Sequence, residues 1–251
     1  MTLPDLLQVM VERKASDLHL IAGQHPAFRV HGELVPLEEI DRFSPAGLKA
    51  FVYSALTPHQ IDMFENDPSS RNELDFGYGI PGVGRFRFNV HVSRGSVAAS
   101  IRALADRIPG LGELGLPEAA AEFTKARRGL VLVTGPTGSG KSTTLAALVD
   151  AINRTRRDHI LTIEDPVEYV HNSKMSYVTQ REVGNAGDTL SFRNALKYAL
   201  RQDPDVILIG EMRDYETIGI AITSAETGHL VFGTLHTSSA AHTVSRVVDV
   251  F

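Results

Sequence analysis

Two adjoining runs of this chain of 251 residues, Gly129-Leu-Val-Leu-Val-Thr134 and Gly135-Pro-Thr-Gly-Ser-Gly-Lys-Ser-Thr143, decide its fold. The first run is apolar at successive positions, which is typical of a strand buried on both faces of a parallel sheet. The second run fits the pattern G-x-x-x-x-G-K-[ST], in which glycines let backbone N–H groups surround a phosphate at the start of a helix. The two runs together predict a strand, a phosphate-binding loop and a helix.

The loop predicts binding of ATP with Mg²⁺. Lys141 is expected to lie along the β- and γ-phosphates, and the Ser142 hydroxyl to ligate Mg²⁺. The alternative is a glycine-rich turn with an exposed lysine, which the strand on one side and the helix on the other make less attractive. The candidate ATP-binding residues are Gly135, Pro136, Thr137, Gly138, Ser139, Gly140, Lys141, Ser142 and Thr143.

Further apolar runs extend this pattern through the second half of the chain. They lie at residues 159–163, 205–209 and 229–233. Helical segments separate the runs, at residues 142–154, 191–201 and 215–227. Strands of this kind with helices between them predict βαβ crossovers and a largely parallel sheet.

The first hundred residues have a different pattern. Short alternating strands and two helices are separated by turns such as His31-Gly32 and Pro81-Gly82, which predicts a small α+β domain with antiparallel pairs. Residues 105–117 are rich in glycine and proline and show little periodicity. The predicted organisation is a first domain over residues 1–104, a linker over 105–125 and an ATPase domain over 126–251.

Two acids follow the apolar run at 159–163. Glu164 and Asp165 stand at the carboxyl end of a predicted strand, the edge of an open α/β sheet where ligands bind. An acid at that place can orient and deprotonate an attacking water. The alternative is that one of the two caps a turn ahead of Pro166.

Another acid follows the run at 205–209. Many P-loop enzymes have an aspartate for the Mg²⁺ shell directly after such a strand, but here Gly210 holds that position and Glu211 comes next. We therefore expect Glu211 to take the role. The alternative is a structural ion pair between Glu211 and Arg213.

Two histidines flank the last apolar run. His229 precedes it and His236 follows it within Thr227-Gly-His-Leu-Val-Phe-Gly-Thr-Leu-His-Thr-Ser238. Two histidines without a third ligand make a poor metal site, and a lone histidine is more often structural than a ligand. Their residue types alone do not predict a role.

Composition and charge exclude several classes of function. The formal net charge is −5, so no global positive field favours nucleic acid. No cysteine is present, which excludes disulfides, thiolate zinc sites and thiol nucleophiles. No stretch reaches the roughly 18 apolar residues that a transmembrane helix needs. We therefore expect a cytoplasmic protein without a transmembrane segment.

Four sequence blocks in this order resemble the secretion ATPase superfamily of type II secretion and type IV pili. They are a Walker A loop, an aspartate box, a Walker B block and a histidine box. The Walker B block, Leu200-Arg-Gln-Asp-Pro-Asp-Val-Ile-Leu-Ile-Gly-Glu-Met-Arg-Asp214, is the most specific of them. The resemblance continues in the first domain through Ala15-Ser-Asp-Leu-His-Leu20, Arg29-Val-His-Gly32 and Gly84-Arg-Phe-Arg-Phe-Asn-Val90, and so covers almost the whole chain.

The resemblance implies a PAS-like first domain and a RecA-like motor domain that assemble as a homo-hexamer with nucleotide between the domains. It also implies that Glu164 is the general base and that Glu211 supports Mg²⁺ and water. His229 and His236 are implied to sense the γ-phosphate. Arg87 and Arg102 of the first domain are implied to stabilise phosphate charge, with Arg85 as a nearby competitor.

Within the superfamily, the chain is most similar to the pilus-retraction branch. Pilus-extension and type II secretion ATPases commonly carry a tetracysteine zinc module and an extra N-terminal domain, and neither is expected here. The implied partner is the inner-membrane platform protein of a type IV pilus, with the motor associated peripherally. The chain stops at Phe251, where family members continue into a helical C-terminal arm.

Other functions remain open from the sequence. A pilus-extension or type II secretion ATPase would use the same residues. A RecA-like nucleic-acid translocase shares the core, although the acidic charge disfavours it. A nucleotide-binding regulator with little turnover is a further alternative, because Gly210 replaces the usual aspartate.

Overall fold

A computed structural model describes residues 1–68, 72–104, 107–184, 187–237 and 239–250. The chain divides into two compact units, Met1–Asp106 and Arg107–Phe251. Residues 107–125, which the sequence assigns to a linker, group with the second unit and include a 3-10 turn at Leu111–Leu114. Residues 105 and 106 of that predicted linker, and residue 251, lie outside the described residues.

The first unit contains a sheet and helices. The helices are α1 (Leu3–Glu12), α2 (Pro45–Tyr53) and α3 (Pro58–Asn66). The strands are β1 (Asp17–Leu20), β2 (Ala27–Val30), β3 (Glu33–Pro36), β4 (Glu73–Ile80), β5 (Gly84–Ser93) and β6 (Ser96–Ala103).

The first sheet is antiparallel at every described pairing and has the strand order β3-β2-β1-β6-β5-β4. Alternation along β5 explains its two faces, because Phe86 and Phe88 are fully buried whereas Arg87 between them is exposed. Phe88 also stacks on Phe76 of β4, with ring centroids 5.0 Å apart. One face of the sheet is therefore core and the other is polar.

The second unit follows the α/β pattern. Its strands are β7 (Gly129–Thr134), β8 (His159–Glu164), β9 (Tyr177–Glu182), β10 (Val206–Ile209) and β11 (Leu230–Leu235). Its helices are α4 (Glu118–Glu122), α5 (Lys141–Thr155), α6 (Phe192–Ala199), α7 (Tyr215–Glu226) and α8 (Ala240–Val250).

The second sheet is parallel, with the order β7-β11-β10-β8-β9. Helix α5 covers one face, where Leu148 and Ile152 pack with Phe232 of β11. Helices α6 and α7 cover the other face, where Leu196 and Ile218 pack with Ile207 of β10. Burial on both faces explains why the central strands β10 and β11 are almost continuously apolar.

The predicted fold class is confirmed: a parallel α/β unit follows a smaller α+β unit. Several short elements were not predicted from the sequence, among them α3, β3 and the edge strand β9. No helix within the described ranges combines the length and the hydropathy that crossing a bilayer requires.

Candidate active site

A cleft of about 350 Å³ opens at the carboxyl ends of the parallel strands. Because parallel strands end at the same edge, residues from β8, β10 and β11 reach the phosphate-binding loop that follows β7. The cleft is lined by polar and charged groups that the sequence predicted, namely Thr137, Gly138, Gly140, Lys141, Ser142, Thr143, Glu164, Glu211 and His236.

The backbone of the loop has the conformation that its glycines predict. Gly138 and Gly140 have φ values of 80° and 89°, a backbone conformation that residues with a Cβ atom rarely adopt. Gly140 is the N-cap of α5 and supplies no side-chain hydrogen bond, so the first N–H groups of the helix remain available to an anion. The loop can therefore hold a phosphate.

Lys141 folds back over this loop. Its Nζ donates hydrogen bonds to the carbonyl oxygens of Gly135, at 3.0 Å, and Pro136, at 2.9 Å. Ser139 closes the turn, since its backbone N–H donates to the Pro136 carbonyl oxygen at 3.3 Å. The ammonium group is thus held at the centre of the loop, where a bound phosphate chain would pass.

Glu164 is the last residue of β8 and is half-buried, whereas Asp165 beside it is exposed, and both line the cleft. Burial raises the pKa of Glu164 above the usual carboxyl value, while hydrogen bonds from Thr162 and Gln180 oppose that rise by favouring the charged form. A buried carboxylate with a raised pKa at the edge of a ligand cleft is suited to accepting a proton.

Glu211 follows β10 at the same edge. Its Oε1 accepts a hydrogen bond from Arg213 Nε at 2.5 Å and lies 3.0 Å from His236 Nε2. The ion pair with Arg213, the alternative considered from the sequence, is therefore present. Glu211 lines the cleft at the same time, so the ion pair does not remove it from the site.

Gly210 allows β8 and β10 to approach each other closely. A Cβ at this residue would lie 3.2 Å from the Glu164 Cα and 3.3 Å from the Ile163 carbonyl oxygen. The Gly210 N–H also donates to that carbonyl oxygen at 2.8 Å. A residue with a side chain would be crowded here, where many other P-loop enzymes carry an aspartate.

The two histidines lie at opposite edges of the sheet. His236 follows β11 and lines the cleft. His229 precedes β11, and its Nδ1 lies 2.9 Å from the Ser224 carbonyl oxygen. Five residue steps of about 3.3 Å, or roughly 16 Å of strand, separate the two ends of β11. Within this chain His229 therefore does not line the cleft, and the phosphate contact implied for it stays a prediction.

The predicted arginines share the polar face of the first sheet. Arg87 of β5 pairs in register with Arg102 of β6, and Arg85 lies two residues from Arg87 on the same face. Arg102 Nε donates to Asp17 Oδ1 at 2.8 Å. Burial opposes ionisation of Asp17, but hydrogen bonds from Ser16 and Arg102 hold its pKa below the usual value. The role of these arginines in phosphate binding stays a prediction.

Four residues around Glu164 were missed by sequence reasoning. Thr162 and Gln180 contact its carboxylate, Tyr169 reaches the P-loop helix, and His171 lies next to them. The sequence offered one signal, which is a polar residue inside an otherwise apolar strand. Thr162 is such a residue, and its side chain is fully buried. Such groups require hydrogen-bond partners and so point to a network.

Comparison with known proteins identifies a family. The sequence profile described as "Type II/IV secretion system protein" matches residues 2–250. The chain is 50% identical over 256 residues to the type IV pilus retraction ATPase PilT of Pseudomonas aeruginosa. It is 50% identical over 231 residues to a twitching motility protein of Neisseria gonorrhoeae. All of the chain aligns with the first relative and 92% of it with the second, and it spans 71% and 60% of their respective lengths.

A solved structure also matches this chain over its full length. The crystal structure of the pilus retraction motor PilT with bound ADP superposes with a TM-score of 0.93 at 49% identity. The match covers all of this chain and 71% of that chain.

Gly210→Asp should be destabilising, because the new side chain would meet the backbone of Glu164. We expect the free energy of unfolding to fall by about 1–3 kcal/mol, the usual cost of overpacking, and ATP turnover to fall as Glu164 shifts. Urea denaturation and a steady-state ATPase assay measure the two effects. Gly112→Asp is the matched control, since a Cβ there meets nothing within 4 Å. A Gly210→Asp protein with the stability and turnover of the parent would contradict the prediction that a side chain at residue 210 crowds the backbone of Glu164.

His171 should make the fold sensitive to acid. Burial lowers the pKa of His171 to about 4, with the Asp150 carboxylate opposing this shift and Lys174 adding to it. An unfolded chain protonates the ring near pH 6.5, so stability is lost as the pH falls from about 6.5 towards 4. Between pH 7 and pH 5 the loss from this residue should be about 2 kcal/mol. Urea denaturation at both pH values should show a smaller loss for His171→Gln, and equal losses in the two proteins would contradict the assignment.

Proposed function

Because the chain belongs to the type II/IV secretion system protein family, we propose that it is an ATP-hydrolysing motor whose work is retraction of a type IV pilus. The family is the one that the four sequence blocks resemble. The proposal depends most on a single observation: one cleft brings together Lys141, Ser142, Glu164, Glu211 and His236. These are the groups needed to bind a triphosphate, hold a divalent cation and activate water.

ATP binds with its phosphates over the glycine loop. The backbone N–H groups at the start of α5 face the phosphate oxygens, and the positive end of the helix favours their charge. Lys141 exchanges its two carbonyl contacts, with Gly135 and Pro136, for contacts with the β- and γ-phosphates. Because an ammonium group bonds anionic oxygen more strongly than carbonyl oxygen, the exchange favours the bound state.

The residues present fit Mg²⁺, which takes oxygen ligands and usually binds through one or two protein groups together with phosphates and waters. The Ser142 hydroxyl and the Glu211 carboxylate would hold it, since both line the cleft. When bound, the cation would offset negative charge on the β- and γ-phosphates.

Hydrolysis uses Glu164 as the base. It accepts a proton from water as the water oxygen bonds to the γ-phosphorus and the bond from that phosphorus to the bridging oxygen of the β-phosphate breaks. ADP and inorganic phosphate leave. Lys141 stabilises the charge that develops on the γ-phosphoryl oxygens. His236, held 3.0 Å from Glu211 before nucleotide binds, contacts the γ-phosphate and so reports its presence to β11.

The chain works in this proposal as one subunit of a hexameric ring. Arg87 and Arg102 of the first unit complete a nucleotide site by stabilising phosphate charge. The ring associates with the inner-membrane platform protein of a pilus from the cytoplasmic side, where ATP is available. Retraction is favoured over extension because two relatives at 50% identity are a retraction ATPase and a twitching motility protein.

Lys141→Ala and Glu164→Gln should fail in different ways. Loss of the Lys141 charge should weaken ATP binding and abolish turnover together, because the loop loses its ammonium group. Glu164→Gln keeps the shape of the side chain but cannot take a proton, so it should bind ATP normally and lower turnover by on the order of 100-fold or more. Nucleotide binding by filtration and steady-state phosphate release measure the two properties.

Glu164→Gln also tests whether six chains form a ring, because ATP should stay bound to this variant. Light scattering of this variant with ATP and Mg²⁺ should give six times the mass of one chain. Parental turnover in Glu164→Gln with none in Glu211→Gln would move the base to the other carboxylate. A monomer that hydrolyses ATP at a rate per chain independent of concentration would contradict the ring.

Deletion of the gene should leave cells with many pili and no surface movement, since pili would extend without being withdrawn. Electron microscopy and a twitching assay make the measurement. Re-expression of the parental protein should restore movement, and re-expression of Glu164→Gln should not. Cells without pili would instead indicate an extension motor built from the same catalytic residues.

A further inference from the structure

Three polar side chains interrupt an apolar face of the parallel sheet. On the face that packs against α5, β8 presents Ile160 and then Thr162 and Glu164, and β9 presents Val178 and then Gln180. Thr162 and Gln180 are direct partners in the strand register. Because burying polar groups costs free energy unless they are hydrogen-bonded, this arrangement needs an explanation.

Both neutral side chains donate to the same oxygen of Glu164. Thr162 Oγ1 donates to Glu164 Oε1 at 2.6 Å, and Gln180 Nε2 donates to it at 3.2 Å. The carboxylate at the edge of the cleft is therefore held by fixed neutral donors.

The orientation of the Gln180 amide is dictated by its surroundings. Its Oε1 accepts a hydrogen bond from the His171 backbone N–H at 2.7 Å, so that end of the amide must be the oxygen. The NH₂ group then faces two acceptors, Glu164 Oε1 and the Tyr169 carbonyl oxygen, the latter at 2.8 Å. Its two hydrogens match these two acceptors.

The same network reaches the phosphate-binding loop. Tyr169, whose carbonyl oxygen binds Gln180, also places its Oη 3.0 Å from Thr143 Oγ1. Thr143 is next to Ser142 in the first turn of α5. The position of Glu164 is thereby tied to the helix that holds the phosphates.

We propose that Thr162 and Gln180 are positioning residues for hydrolysis, and that they hold the Glu164 carboxylate charged and aimed into the cleft. The inference rests on the proposed function, in which Glu164 is the base. Neither side chain lines the cleft, so both act through Glu164 and neither contacts the nucleotide. Without their donors, the buried carboxylate would rotate or take up a proton before water arrives.

The test compares Thr162→Val with Thr162→Ser. Valine keeps the branched shape and removes the hydroxyl, which leaves Gln180 as the remaining side-chain donor to Glu164 Oε1, so the melting temperature is measured beside turnover. We expect kcat to fall on the order of 10- to 100-fold, with KM for Mg-ATP within about twofold of the parent. Serine restores the donor and should recover most of kcat. Thr179→Val is the matched control, because this exposed threonine of β9 contacts His159, away from the cleft.

Gln180→Glu tests the second donor. Glutamate still accepts from the His171 N–H but replaces the NH₂ group with an oxygen that repels Glu164, so kcat should fall at least as far as in Thr162→Val. Unchanged kcat in both variants would overturn the proposal, as would a loss that follows the melting temperature and is not recovered by serine.

Glu164→Gln, measured in the same assay, separates the two levels of inference. If it is inactive while Thr162→Val and Gln180→Glu turn over normally, only the positioning role fails. If Glu164→Gln retains parental turnover, the base assignment fails first and the positioning role with it.

Discussion

Parallel pairing of the second sheet is the constraint on which the rest of the site depends. The central strands β8, β10 and β11 are buried on both faces, so charged groups of these strands gather where the strands end. All carboxyl ends lie at one edge, which brings together residues far apart in the sequence. Lys141 follows β7 by way of the glycine loop, Glu164 ends β8, Glu211 follows β10 and His236 follows β11. The cleft is a direct consequence of strand direction.

A buried carboxylate imposes a second requirement on this edge. Glu164 is useful as a base only if it is charged, yet burial favours its neutral form. Two neutral hydrogen-bond donors, Thr162 of β8 and Gln180 of β9, favour the charged form of Glu164 without a cation beside it. Gly210 also helps to place Glu164, because the absence of a Cβ atom lets the end of β10 lie against the backbone of Glu164.

Strong local signals made part of this structure predictable from the sequence. Continuous apolar runs and the glycine loop indicated the parallel sheet, the order of its main elements and the residues at the strand ends. Strand β9 was missed because an edge strand has one open side, and Tyr-Val-Thr-Gln-Arg-Glu over Tyr177–Glu182 shows no apolar run. Thr162 and Gln180 were missed with it, since their contact depends on the register between two strands. The resemblance implied one role for His229 and His236, but the direction of β11 sends residues before and after the strand to opposite edges of the sheet.

Strand direction also explains how two glutamates at one edge can take different roles. Glu164 and Glu211 follow neighbouring strands and differ mainly in what surrounds them. Glu211 is partly exposed and lines the cleft, and its Oε1 contacts the Arg213 guanidinium and the His236 ring. The side-chain donors to Glu164 are the neutral Thr162 hydroxyl and Gln180 amide, and burial raises its pKa, so it accepts a proton more readily than an ordinary carboxylate. Enzymes divide acid–base work between paired carboxylates through such differences in environment. These differences in environment support the proposal that Glu164 is the base and that Glu211 takes part in the Mg²⁺ shell.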